Sequence, residues 1–244
     1  MSAYDYCRNK VALPGSSLYY SLLFVAPDLR EALTALHALA EELREVADGS
    51  DDDGVTHGKL GWWAEELQRS CAGEPRHPVT RALTAPLGQS AIDAARFAGV
   101  LEAVGTYARR GGSATPADVE AYCAGLADIT GCMAAEICGY RDPRTIETSR
   151  GLGVGLAFID VARPPARLGA PPEALADHAR IHLTGYLDDL PRVDHGAQRA
   201  RRALAEMGLA QLRVMERAGF PTREPPVSIT PLRKLWIAWK HRRR

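Results

Sequence analysis

From Glu31 to Asp48 the chain reads EALTALHALAEELREVAD, and this stretch limits what the rest can build. Leu33, Leu36, His37, Ala40, Leu43 and Ala47 recur at steps of three and four, the period of one helical face. Pro27 and Asp28 supply a helix start and Gly49 a stop. Near the C-terminal end Glu41, Glu45 and Asp48 fall at i, i+4 and i+7, which stacks three carboxylates on one side. Turned inward, such a stripe holds a hard divalent cation. Turned outward, it is a solvated acidic edge, the commoner outcome for so ordinary a pattern.

The remaining chain offers the same kind of partner. Ala, Leu and Arg are the commonest residues, while β-branched and aromatic runs are scarce. Helices are expected over Lys59–Cys71, over Ser90–Arg110, and from the Thr115-Pro116-Asp118 start to Gly139. Others run from Asp142-Pro143 to the break at Pro164-Pro165, over Glu173–Leu190, over His195–Ala218 and over Pro231–Lys240. No composition shift marks a boundary, so the expectation is one all-α helical-bundle domain over 1–244, with a basic amphipathic tail at 229–244.

Composition narrows the function. Lys plus Arg balance Asp plus Glu at 30 each, so no global field argues for nucleic acid. No apolar run approaches the roughly 20 residues that span a bilayer, and the N-terminus lacks a signal peptide's apolar core. Five cysteines without a CxxC pair suit a reduced cytoplasm and a core role better than zinc. There is no Gly-rich phosphate loop, Ser-His-Asp arrangement or HExxH motif.

Several segments resemble the squalene/phytoene synthase family, the head-to-head branch of the isoprenoid synthases. They are GSSLYYSLLFVAPDLREALTALHALAEELREVAD, KLGWWAEELQRSCAGEPRHPVTRAL, YCAGLADITGCMAAEICGY and SITPLRKLWIAWKHR. The resemblance implies an isoprenoid (terpenoid) synthase bundle around a deep apolar cavity. It also implies Mg²⁺ held by two aspartate-rich motifs, ionising an allylic diphosphate. Ser17, Tyr19, Tyr20 and Ser21 match the family's diphosphate- and prenyl-contacting segment.

The departures from that pattern are chemical. Where the family reads DDxxD, the leading aspartates become Arg44 and Glu45 and only Asp48 stays; the arginine ahead of them becomes Glu41. In the second motif, NxxRDxxED, Asp160 replaces the asparagine and Arg163 is kept. Pro164 and Leu168 replace both aspartates, and neither can ligate through its side chain. The expectation is a catalytically degenerate member that binds a prenyl diphosphate or other lipid, or a protein partner in membrane-complex assembly. The alternative is an active prenyltransferase joining two prenyl diphosphates head to head, with Glu41, Glu45, Asp48 and Asp160 holding Mg²⁺. No cofactor is expected otherwise. Arg44 and Arg163 could grip an anionic head group without metal.

Four smaller signals remain. Trp62 and Trp63 are adjacent, so one is expected in the core and the other elsewhere. His37 reads as a core histidine, not a ligand. Asp51 to Asp53, and Asp188, Asp189 and Asp194, read as solvated loops. In the tail, Trp236, Trp239 and Lys240 are candidates for peripheral contact with the inner face of a membrane; the competing reading packs that helix on the bundle.

Overall fold

The computed structural model describes residues 1–49, 52–87, 94–162, 171–220 and 228–242, and every regular element among them is helical. The central helix is the third in chain order, α3 (Pro27–Asp48), with Pro27 in its first turn and Gly49 at its C-cap. It buries more than one face. Ala32, Leu33, Ala35, Leu36, Ala38, Leu39, Ala40 and Leu43 all lie inside, so α3 threads the core. Four buried leucines at ~1.5–3 kcal/mol each make it the main apolar anchor before chain entropy is charged against it.

Two helices that the apolar spacing did not signal lean on α3. One is α1 (Ala3–Val11), started by a capping box between Ser2 and Asp5; the other is α5 (Pro78–Leu87). Between them come the short α2 (Ser17–Ser21) and α4 (Asp53–Cys71). Helix α4 begins six residues before the expected Lys59, because the Asp52 carboxylate accepts from the Gly54 and Val55 amides at 2.8 and 3.4 Å. Asp52 and Asp53 therefore build a helix start, not a solvated loop; Asp51 lies outside the described residues. As expected, Trp63 is buried and Trp62 exposed, their rings meeting edge-on at 5.2 Å.

After α6 (Ala94–Arg110), α7 (Pro116–Ala127) opens on the expected Thr115–Asp118 capping box. The expected continuous helix to Gly139 is interrupted. A π-helical turn over Asp128–Met133 precedes α8 (Ala134–Cys138), and Gly139 ends the run at φ +79°. The π turn packs against α9 (Arg144–Val161). There, a Cβ on Gly131 would sit 2.5 Å from the Ser149 carbonyl oxygen, and one on Gly153 2.6 Å from the Ala127 Cα. Side chains are excluded where these two backbones meet.

Three further helices complete the bundle: α10 (Pro172–Asp189), α11 (Arg199–Arg217) and α12 (Pro231–His241). Asp188 and Asp189 are exposed, as read, but they close the last turn of α10 and are not in a loop. Asp194 is not solvated: it is buried and accepts from the Arg141 and Asp142 amides and from Thr145 Oγ1 at 2.7, 3.1 and 2.6 Å. It ties the turn before α9 to the turn before α11.

Candidate functional site

The acidic end of α3 splits into two separately neutralised groups. On one side, the Arg44 guanidinium donates through Nε and Nη2 to both oxygens of Glu41, at 2.9 and 2.5 Å, and through Nη1 to Asp48 at 2.7 Å. The spacing i−3 and i+4 lets one side chain reach both acids on its own helix. These hydrogen bonds to Glu41, with the charges of Glu41, Asp160 and Asp48, drive the guanidinium pKa further above its ordinary value, despite desolvation. On the other side, Lys10 of α1 donates to Glu45 at 2.8 Å and pairs with Glu42 at 2.9 Å. Tyr6 also donates to Glu42, at 2.7 Å.

The expected stripe is thus divided. Glu41 and Asp48 stay with Arg44, and Glu45 turns to Lys10. Asp160, near the end of α9, is exposed and close enough for its charge to act on Arg44 and on the buried Cys123. The structure therefore groups Glu41, Arg44, Asp48 and Asp160. Arg163, Pro164 and Leu168 lie outside the described residues.

The fit of this group to Mg²⁺ can be judged from its donors. An octahedral site needs several carboxylate oxygens turned to one point. Here both Glu41 oxygens and one of Asp48 already accept from Arg44, and Glu45 is held away by Lys10. Among the described residues no three His, Cys, Asp or Glu side chains gather as a metal-holding group. In this arrangement the Arg44 guanidinium engages carboxylate oxygens that a bound cation would need.

Behind the group lies Tyr122, a residue whose role the apolar pattern concealed. It is buried and stacks on Tyr107 with ring centroids 4.2 Å apart. Its hydroxyl has no hydrogen-bond partner among the described residues, and burial, with the Asp48 charge, pushes its pKa up. His37 lies deeper along α3. Burial, with the positive charge of Arg201, pushes its imidazole down to about 4, so it is neutral at pH 7.

The expected prenyl-contacting segment is α2 and its flanks. Ser16 caps the helix by accepting from the Tyr19 amide at 3.1 Å, and the buried Ser21 hydroxyl donates to the Leu18 carbonyl at 2.8 Å. Tyr19 and Tyr20 meet edge-on at 5.3 Å, and Tyr20 packs against the α11–α12 cluster of Ala203, Met207 and Ile237. Ser17 is half-buried. Of this segment, Ser21 and Tyr20 are engaged within the fold. Trp236, Trp239 and Lys240 lie on α12: Lys240 donates to Glu206 at 2.7 Å, and both tryptophans are exposed.

Comparison with known proteins gives this geometry a context. The family model described as squalene/phytoene synthase matches residues 11–165. A phytoene synthase of Arthrospira platensis is 26% identical over 141 residues, which cover 58% of this chain and 46% of that relative. The chain thus aligns with less than half of that relative's length. A dehydrosqualene synthase crystallised with a ligand superposes with a TM-score of 0.75 at 16% identity, covering 98% of this chain and 95% of the other. Squalene synthase HpnC from Alicyclobacillus acidocaldarius superposes with a TM-score of 0.66 at 20% identity, covering 91% and 95%. The fold is the all-α isoprenoid synthase fold of these two enzymes.

Proposed function

Because the chain belongs to the squalene/phytoene synthase family, we propose that it binds a prenyl-chain lipid in the family's apolar cavity and has given up head-to-head synthesis. The observation that carries this reading is the Arg44 fork. One permanent cation, standing where the family motif has an aspartate, satisfies Glu41 and the one retained motif aspartate, Asp48, from within the same helix. The sequence of the second motif adds to it, since Pro164 and Leu168 offer no side-chain oxygen.

Charge suggests the ligand class. Glu41, Asp48 and Asp160 outnumber Arg44 three to one, and an excess of negative charge opposes a bare diphosphate. A prenyl alcohol, or another isoprenoid with an uncharged head, suits the described part of the site better. Such a binder could supply lipid to a membrane complex or support its assembly. The competing reading, an active prenyltransferase, requires Arg44 to swing away so that Glu41, Asp48 and Asp160 are freed. The nearness of Asp160 to Arg44 is the feature that favours it.

The test is thermal denaturation with farnesol and with farnesyl diphosphate, each with and without Mg²⁺, alongside an assay for released diphosphate. Binding of a prenyl chain raises the melting temperature by mass action. The reading expects a shift with farnesol, no dependence on Mg²⁺ and no release. Mg²⁺-dependent release that disappears in Asp48→Ala would replace it with the synthase reading.

A further inference from the structure

The inward side of α12 is fully committed. Ile237 and Ala238 pack on Ala203, Met207 and Ala210 of α11. Lys234 is buried and donates to the Gly15 carbonyl at 2.6 Å and to Ser228 Oγ at 3.0 Å. Lys240 and His241 both hold Glu206, at 2.7 and 2.8 Å. With Lys234, Ile237, Ala238 and His241 at i, i+3, i+4 and i+7 all turned inward, the rotation of the helix is set.

That rotation presents the opposite row to solvent. Leu232, Leu235, Trp236 and Trp239 are 79%, 40%, 56% and 48% exposed. The helix does pack on the bundle, yet its apolar row is the outer one. Cations accompany its rings: Lys240 Nζ lies 5.4 Å from the Trp236 centroid, and Arg242 Cζ lies 5.1 Å from Trp239 and 5.7 Å from Phe24. Phe24 is itself exposed and extends the patch onto the segment between α2 and α3. Arg233 is exposed beside the row, and Pro231–His241 contains no acid.

We propose that this outer face of α12 seats in the headgroup region of an anionic bilayer. Trp236, Trp239 and the two leucines would enter the acyl boundary, and Arg233 and Arg242 would meet anionic headgroups, while Lys240 stays paired with Glu206. Two physical points select this occupant. Tryptophan beside Lys or Arg is what the interface of an anionic membrane takes up, the ring entering and the charge staying at headgroup level. A second copy is disfavoured, since a two-fold contact would set the same cations against one another. The inward side of α12 packs against α2, the helix that carries Tyr19 and Tyr20. The inference stands on α12 alone and does not depend on what the cavity binds.

The test is co-sedimentation of the full chain with two kinds of vesicle, phosphatidylcholine alone and an equimolar mixture with phosphatidylglycerol, with tryptophan emission followed in parallel. Binding is expected only with the mixture, with emission shifted to the blue and affinity falling as salt is added. Trp236→Ala with Trp239→Ala should weaken binding at least about tenfold, and Arg233→Gln about fivefold. All three side chains are exposed, so both variants should melt at the parent temperature. Absence of binding to the mixed vesicles would overturn the proposal. So would full binding by the double tryptophan variant, or concentration-dependent self-association that those substitutions abolish.

Discussion

At the residue scale the reading turns on one cation. Arg44 is tied to Glu41 and Asp48 within its own helix, and such half-exposed pairs are worth only ~0.3–1 kcal/mol each. Its larger effect is to cancel charge. In Arg44→Ala, Glu41 and Asp48 would face Asp160 uncompensated. That variant should melt below the parent in metal-free buffer and regain part of the loss when Mg²⁺ is added, while the parent stays indifferent. An Arg44→Ala protein equally indifferent to Mg²⁺ would show that the carboxylates do not converge. His37 gives a second prediction. Its folded pKa of about 4 lies below the ordinary 6.5, so both states are neutral above pH 6.5 and the unfolded chain protonates first as pH falls. Stability should therefore decline between pH 6.5 and 4, and His37→Gln should remove that part of the slope in urea titrations. The lowered carboxylates of Glu66, Asp194 and Glu206 act in a separate window, below their ordinary values of 4.5, 3.8 and 4.5. Arg44's reach to Glu41 and Asp48 follows from spacing within one helix and is legible in the sequence. The turn of Glu45 toward Lys10 is not, because its cause lies 35 residues away on α1.

At the element scale the contact between the π turn and α9 is the tightest constraint in the bundle. The π turn changes the pairing of its carbonyls, and Arg201 of α11 donates to the Gly131 carbonyl at 2.7 Å, to Ser149 Oγ at 2.8 Å and to Gln198 Oε1 at 2.8 Å. One buried guanidinium thus locks three elements. Gly153→Ala would place a methyl 2.6 Å from the Ala127 Cα, a backbone atom with little freedom to retreat. The expected loss is ~1–3 kcal/mol or somewhat more, read as a lower urea midpoint with an unchanged slope. A midpoint equal to the parent's would mean that α9 can move away. Helix starts were legible at Thr115 and Pro27, where a capping box or Pro at N1 opens a long apolar-spaced helix. Helices α1 and α5 escaped because each is short and takes its stability from packing on α3, not from its own pattern. The π turn left no local signal, since its partners come from α9 and α11.

At the scale of the whole molecule, eleven other α-helices among the described residues surround the long core helix α3, in the isoprenoid synthase fold. Helical periodicity made the all-α class readable, and the four quoted segments made the family readable over most of the chain. Long-range polar ties were hidden. Asp194 looked like one more loop acid, yet it is buried by amides and a hydroxyl 49 to 53 residues away. For α12 the exposed tryptophans were one of two readings, and what the pattern did not show is that its buried row includes Lys234 and His241. The central claim, a prenyl-binding fold without the family's metal chemistry, is tested most directly by incubating the protein with farnesyl diphosphate and Mg²⁺ and measuring released diphosphate, with the farnesol-induced melting shift measured on the same sample. The account predicts a shift and no release. Release that requires Mg²⁺ and is lost in Asp48→Ala would contradict it.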